Sequence, residues 1–364
     1  MTTDQVRYGI IGAGMMGTEH LWNLQAVPGA VVTAAADPVA AQREWIVAAA
    51  GDDGAQITTF ADHRDLLASG LVDVVVVASP NHTHRAVLAD VFDHRSMHVL
   101  VEKPLCTTVD DCAWVAERAR SHKGIVWVGL EYRYMPPVAR LAATAASGAL
   151  GTVRMVAIRE HRFPFLVKVG DWNRFNANSG GTLVEKCCHF FDLMNLLTGD
   201  RPVRVMASGG QAVNHLDEVY DGRTSDIDDH ALVIVEYAGG ARASLDLCMF
   251  AEASQHQEEI SVVGDLGKAE AFLPSSEFRV GLRADGRAGV TSEVVTDDRV
   301  AYEGFHHGSS YLEHLDLLAA VRGGGTAGVD VADGLLSVAM GVAAHRSIDE
   351  GRVVDLDEVL PFPD

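Results

Sequence analysis

The sequence predicts an α/β fold class in two parts: an N-terminal doubly wound parallel sheet, then a C-terminal α+β domain built on an open, mostly antiparallel sheet. Three observations lead there. Before about residue 130, short and nearly continuous Val/Ile/Ala runs are separated by helix-length segments, the pattern of parallel strands covered on both faces. After about residue 150 the runs lengthen and become rich in β-formers, and 364 residues exceed what one hydrophobic core usually serves.

In the first part, Val6-Ile11, Val31-Ala35, Val72-Ala78, His98-Val101 and Ile125-Val128 read as buried strands. In the second, strands are expected at 153-161, 203-213, 230-237, 241-250, 258-263 and 268-273, with Ala238-Gly239-Gly240 as a hairpin turn. A strongly apolar helix is predicted over 182-198, and helical patterns close the chain at 309-322 and 333-350. The expected division is 1-130 for a first domain and 131-364 for a second that carries the C-terminal helix. No internal repeat interrupts this plan.

Composition narrows the partners. A formal net charge of -21 argues against nucleic acid or an anionic membrane, since both need a positive surface. Five cysteines without C-x-x-C spacing (Cys106, Cys112, Cys187, Cys188, Cys248) suggest reduced thiols rather than a disulfide framework or a structural zinc site. No run approaches eighteen apolar residues and the start lacks signal-peptide character, so a cytoplasmic protein is expected.

Gly12-Ala13-Gly14-Met15-Met16-Gly17 follows the first strand and opens a helix. Gly12 permits a tight turn, Gly14 lets the backbone approach a pyrophosphate, Gly17 lets helix and strand pack closely, and the helix N-terminus supplies positive potential. Asp37 ends the second strand twenty residues beyond Gly17, placed to accept hydrogen bonds from an adenosine ribose. A carboxylate there repels a 2′-phosphate, which favours NAD over NADP as the cofactor; Arg43, a few residues on, keeps NADP open.

Four more segments, in order, carry a resemblance: Ser79-Pro80-Asn81-His82-Thr83-His84, Glu102-Lys103-Pro104, Glu131-Tyr132-Arg133-Tyr134-Met135-Pro136, and Gly180-Gly181 through Glu185, His189 and Asp192. Together with the glycine loop they make the chain resemble the glucose-fructose oxidoreductase / inositol dehydrogenase / rhizopine-catabolism (Gfo/Idh/MocA) family over nearly its whole length. Glu185 stands where that family usually has Asp. The resemblance implies a Rossmann domain followed by an open antiparallel sheet, action on sugars, inositols or related polyols, a cis Lys103-Pro104 bond, and Lys103, His189 and the carboxylate at 185 as the catalytic trio.

The residues also speak for themselves. Glu185, His189 and Asp192 stand at i, i+4 and i+7 of an otherwise apolar helix, and buried ionisable groups are costly unless paired or facing a polar cavity. Lys103 follows a strand's C-terminal end, where doubly wound sheets bind ligands. Removing hydride from a carbinol carbon yields a carbonyl only if the hydroxyl proton also departs, which needs a base and a positive donor for the developing oxyanion. His189 suits the first role and Lys103 the second, with Glu185 steering the imidazole or binding a neighbouring hydroxyl. Glu102 is expected to anchor the Lys103 loop, Ser79, Pro80 and Asn81 to shape the cofactor side, and His84 to be either a nicotinamide neighbour or a helix-packing residue. Arg133, Trp172 and Arg174 join Glu185 and His189 as candidates for substrate contact. No third ligand accompanies Glu185 and His189, so no metal is expected.

The leading expectation is an NAD(P)-dependent dehydrogenase acting on a secondary alcohol of a small-molecule sugar, inositol or polyol. Two alternatives stand beside it: a redox-neutral NAD-dependent glycoside-cleaving enzyme, and a catalytically silent dinucleotide-binding regulator. An antiparallel sheet covered on one face predicts a homo-oligomer, dimer or tetramer.

Overall fold

The computed structural model describes residues 5-94 and 96-361, which form two compact units. The first comprises the chain to Glu131 together with Lys168–Trp172 and Arg299–Leu335; the second comprises Tyr132–Val167, Asn173–Asp298 and the chain from Leu336 on.

In the first unit, strands β1 (Val6–Ile11), β2 (Ala30–Ala36), β3 (Thr58–Phe60), β4 (Val74–Val77), β5 (His98–Glu102) and β6 (Val126–Gly129) alternate with helices α1 (Met15–Ala26), α2 (Ala40–Ala49), α3 (His63–Ala68), α4 (His84–Asp93) and α5 (Val109–Ala119). The sheet is wholly parallel in the order β3-β2-β1-β4-β5-β6. Strand order therefore reverses between β1 and β4, the crevice at which doubly wound sheets take dinucleotides. All four residues of β4 are buried, as a strand covered on both faces requires. β3 was missed by the sequence reading because its three residues are exposed or half-exposed at a sheet edge and carry no apolar pattern.

The second unit opens with α6 (Pro136–Ala146) and β7 (Val153–His161), continues through the short helices α7 (Asn176–Ser179) and α8 (Thr182–Glu185) to α9 (Cys188–Thr198), and then runs through β8 (Pro202–Gly210), β9 (Val219–Tyr220), β10 (Arg223–Thr224), β11 (His230–Tyr237), β12 (Arg242–Cys248), β13 (Glu258–Gly264), β14 (Gly267–Leu273), β15 (Glu277–Leu282) and β16 (Thr291–Val294). After α10 (Ser309–Gly323), which packs on α1 in the first unit, α11 (Val331–Glu350) and β17 (Val354–Asp355) end the described chain's regular structure.

The large sheet has nine strands in the order β16-β15-β14-β13-β7-β12-β11-β8-β17, antiparallel except where β7 and β12 pair in parallel. Ala231, Val233 and Val235 of β11 point to the buried face, where α6 and α9 pack over β14 and β7, while Leu232 and Ile234 alternate to the other face. That face also exposes Met206, the direct cross-strand partner of Ile234.

The predicted helix 182-198 is interrupted. The Cys187 amide donates to the Thr182 carbonyl, five residues back, so α8 ends at Glu185 and α9 begins at Cys188. Such a widened step is a π-type irregularity, which apolar periodicity alone does not reveal.

Candidate functional site

The first unit carries the glycine loop. Gly12 has φ 95°, and a Cβ there would lie 2.6 Å from the backbone of Ala78 and Ser79, so only glycine lets the loop after β1 meet the loop after β4. A Cβ on Gly17 would lie 1.9 Å from the Gly12 carbonyl oxygen, which fixes close packing of α1 on β1. Gly14 faces open space and caps α1 without any side-chain hydrogen bond, with the exposed Met15 and half-buried Met16 beside it. At Gly14 the backbone at the start of α1 therefore meets open space, the arrangement that fits a pyrophosphate.

Asp37 lies against that loop. One carboxylate oxygen accepts from the Ala13 amide at 2.9 Å and the other from Val39 at 2.8 Å, leaving further lone pairs on both. Arg43 donates to the main-chain carbonyls of Asp37 and Pro38 at 2.6 and 3.1 Å.

The loops after β4 and β5 are tied together. Ser79 and Thr83 share a hydrogen bond of 2.6 Å, Asn81 is buried beside Pro80, and the ring nitrogens of fully buried His84 lie 3.0 Å from the Ser79 carbonyl and 2.9 Å from that of Pro104. Burial lowers the His84 pKa, and the hydrogen bonds to the Pro104 and Ser79 carbonyls oppose that shift. Lys103 is half-buried, and the Lys103-Pro104 bond is cis.

Glu102 holds the base of that loop. Its carboxylate accepts from the Lys103 amide at 3.0 Å and from His20 Nε2 of α1 at 2.8 Å, while His20 Nδ1 meets His314 Nε2 of α10 at 2.9 Å. Burial alone would raise the Glu102 pKa, but the hydrogen bond and charge of His20, with Lys103 and His306, outweigh it and hold the carboxyl at about 2. His20 was missed by the sequence reading, although its place three residues beyond Gly17 puts it one helical turn from the loop. Trp172 lies in this unit too, its ring 6.4 Å from that of His82.

The second unit carries the other candidates. Gly180 and Gly181 both adopt left-handed φ, and a Cβ on Gly181 would lie 2.4 Å from His345 Nε2, the atom that accepts the Leu183 amide at the start of α8. Glu185 ends α8, and His189 and Asp192 follow one turn apart in α9; all three are buried. The His189 ring stacks on Tyr132, with centroids 4.1 Å apart and planes 14° apart. Arg133 forks onto Asp192, donating from Nε at 2.6 Å and also from its terminal nitrogen. Arg174 is buried among Tyr220, Glu218 and the Phe165 carbonyl at 3.2 to 3.3 Å. Asp229 accepts from three successive amides of residues 212 to 214, a structural task. Nothing in the sequence pointed to Tyr132 as the partner of His189.

Among the described residues, no group of three or more His, Cys, Asp or Glu side chains is arranged to hold a metal ion, and no helix is long and apolar enough to cross a membrane.

Comparison with known proteins decides the lineage. Residues 6–130 match the model of the oxidoreductase family's NAD-binding Rossmann fold, and residues 145–356 match that of the same family's C-terminal alpha/beta domain. The chain belongs to the Gfo/Idh/MocA oxidoreductase family. This Gfo/Idh/MocA member is 28% identical to inositol 2-dehydrogenase 1 of Saccharopolyspora erythraea over 97% of its own length and 96% of that protein's. It is 27% identical to myo-inositol 2-dehydrogenase of Thermotoga maritima, covering 98% of this chain and 100% of that one. A levoglucosan dehydrogenase in complex with NADH and levoglucosan superposes with a TM-score of 0.83 at 20% identity, covering 96% of this chain and 99% of that one, which is likeness of fold. The chain is an NAD(P)-dependent oxidoreductase acting on CH-OH groups, with NAD the cofactor its glycine cradle and Asp37 fit.

Proposed function

We propose that this enzyme oxidises a secondary alcohol of an inositol, sugar or related polyol, with His189 as the base, Lys103 as the donor to the developing oxyanion, and Glu185 steering the imidazole or binding a neighbouring hydroxyl. The observation that carries this reading is the pair of buried ionisable sets on a cofactor-binding fold: Lys103 on a loop held by an ionised Glu102, and His189 clasped flat against Tyr132. Whole-length relatives named inositol dehydrogenases support the substrate class and weigh against the glycoside-cleaving and silent alternatives.

Bound NAD supplies the hydride acceptor. Gly12, Gly14, Met15, Met16 and Gly17 would hold its pyrophosphate, Asp37 its adenosine ribose, and Ser79, Pro80, Asn81, His84 and Glu102 would form or support the nicotinamide side. His189 receives the hydroxyl proton while the Lys103 ammonium stabilises the oxygen left behind. Arg133, Trp172 and Arg174 are the further candidates for substrate contact; Arg133 also holds Asp192, and Arg174 donates to Tyr220. Residues 1-130 act as the cofactor domain and 131-364 as the substrate and oligomerisation domain, in a cytoplasmic homo-oligomer assembled on the exposed Met206, Leu232 and Ile234 face.

The test is a panel of inositols, sugars and aminosugars mixed with enzyme and NAD, followed by nicotinamide absorbance. Net NADH formation with at least one polyol is expected. Product formation without NADH release would overturn the assignment in favour of redox-neutral cleavage.

A further inference from the structure

Beneath His189 lies a buried ionic cluster that the proposed reaction does not use. Lys186 occupies the interruption between α8 and α9 and is almost wholly buried. Its ammonium donates to the Tyr132 hydroxyl at 2.6 Å and pairs with Glu160 Oε1 at 3.1 Å. The Tyr132 hydroxyl in turn donates to Glu258 at 3.3 Å, and Gln257 donates to the same carboxylate oxygen at 2.6 Å. Glu160 and Glu258 stand directly opposite each other on the antiparallel strands β7 and β13, both buried.

Facing carboxylates on adjacent strands are destabilising, and each buried ion costs several kcal/mol unless compensated. Arg162, at 3.3 Å from Glu160, and Lys186 supply the opposing charge, yet burial and the neighbouring Glu258 still push the Glu160 carboxyl up to about 7. Buried ion clusters are often replaced by apolar side chains of the same volume at no loss of stability, so stability alone does not account for this one. The cluster meets the proposed chemistry at the Tyr132 ring, whose hydroxyl edge it grips and whose face lies parallel to the His189 imidazole.

We propose that Lys186 and Tyr132 are positioning residues for His189: the ammonium and Glu258 fix the phenol from its hydroxyl end, and the fixed ring sets the plane of the imidazole. The proposal rests on His189 being the base. The π-type step at Cys187 is the backbone feature that admits it, since it lets residue 186 reach the sheet carboxylates while residue 189 meets the ring face of the same tyrosine. Misplacing a catalytic group by about 1 Å costs on the order of 10²-fold in rate, so a device that holds one ring plane acts on kcat rather than on affinity.

A double-mutant cycle separates positioning from a merely structural role. Lys186→Met should lower kcat about 10- to 100-fold while KM for the polyol and Kd for NAD stay within about threefold, and Lys186→Arg should restore most of the rate. In a His189→Ala background the same Lys186→Met change should have no further effect, because its route to the chemistry is gone. Tyr132→Phe keeps the ring and its stacking volume but loses the hydroxyl, and runs the same cycle should Lys186→Met fail to accumulate. Wild-type kcat in Lys186→Met and Tyr132→Phe, or losses that multiply fully with that of His189→Ala, would overturn the positioning roles while leaving His189 as base. Retention of more than about a tenth of kcat by His189→Ala itself would remove the base assignment and this proposal with it.

Discussion

Glu102 and Glu160 are both buried glutamates near strand ends, both beside cations, and their carboxyl groups move in opposite directions: to about 2 in the first and about 7 in the second. Burial opposes charge in each. Glu102 receives two donors at good distance, the Lys103 amide and His20, and the charges of His20, Lys103 and His306 that act on it are positive. Glu160 shares one oxygen between Lys186 and Arg162 at 3.1 and 3.3 Å, finds no hydrogen-bond partner for its other oxygen among the described residues, and faces a second carboxylate across the strand pair. The difference teaches that a nearby cation does not by itself keep a buried acid ionised; the number of donors and the sign of the next charge decide it. The two clusters also do different work in the proposed mechanism, one holding the loop of an electrostatic donor and the other the ring beside a base.

The largest expected effect lies where that first cluster meets the chemistry. Lys103→Met should lower kcat on the order of 10²- to 10³-fold, because it removes the donor to the developing oxyanion. NAD binding, followed by quenching of protein fluorescence, should shift less than about threefold, since the glycine cradle and Asp37 are untouched. A parallel collapse of NAD affinity would mean that Lys103 serves the cofactor instead.

The opposed carboxyl pKa values give opposed stability slopes. Glu160 binds its proton more tightly in the native state than its ordinary 4.5, so its contribution is complete below that value and is lost as pH rises through about 7. Glu102 is depressed from the same 4.5, so its contribution is present above that value and is lost as pH falls toward about 2. Each is worth on the order of 3 kcal/mol. Thermal unfolding midpoints measured across about pH 3 to about pH 8 should therefore show Glu160→Gln flattening the neutral-side decline and Glu102→Gln flattening the acid-side decline. Identical pH profiles for the two variants would contradict the contrast between the clusters.

The smallest effect concerns selectivity. Asp37→Ser should raise kcat/KM for NADP relative to NAD about tenfold, roughly 1.4 kcal/mol, by removing the carboxylate that repels a 2′-phosphate and leaving Arg43 nearby. An unchanged cofactor ratio would show that Asp37 does not set the preference.

What the sequence made legible tracks how far local composition decides each region. β7 and β11 occupy the predicted 153-161 and 230-237 because each is an unbroken run rich in β-formers. The glycine loop and Asp37 were legible because tight backbone geometry admits few residue types. β16 escaped notice because all four of its residues are exposed, and β15 because Phe278 alone of its residues is buried, so neither shows a buried alternation. The break in helix 182-198 was hidden because neither proline nor glycine stands at it, and the pair it accompanies, Lys186 with Glu160 on a distant strand, is tertiary. For the same reason the partners of the candidate site residues, His20 for Glu102 and Tyr132 for His189, lay outside what spacing can reveal.

The central claim is that His189 removes the hydroxyl proton from a polyol as hydride leaves its carbon. Steady-state kinetics of His189→Ala, on a polyol that the wild-type enzyme oxidises, test it most directly. The account predicts a fall in kcat of roughly 10²- to 10⁴-fold, with NAD affinity preserved and any rate inflection belonging to the imidazole gone from the pH profile. A variant that kept more than about a tenth of the wild-type kcat with its pH profile intact would contradict it.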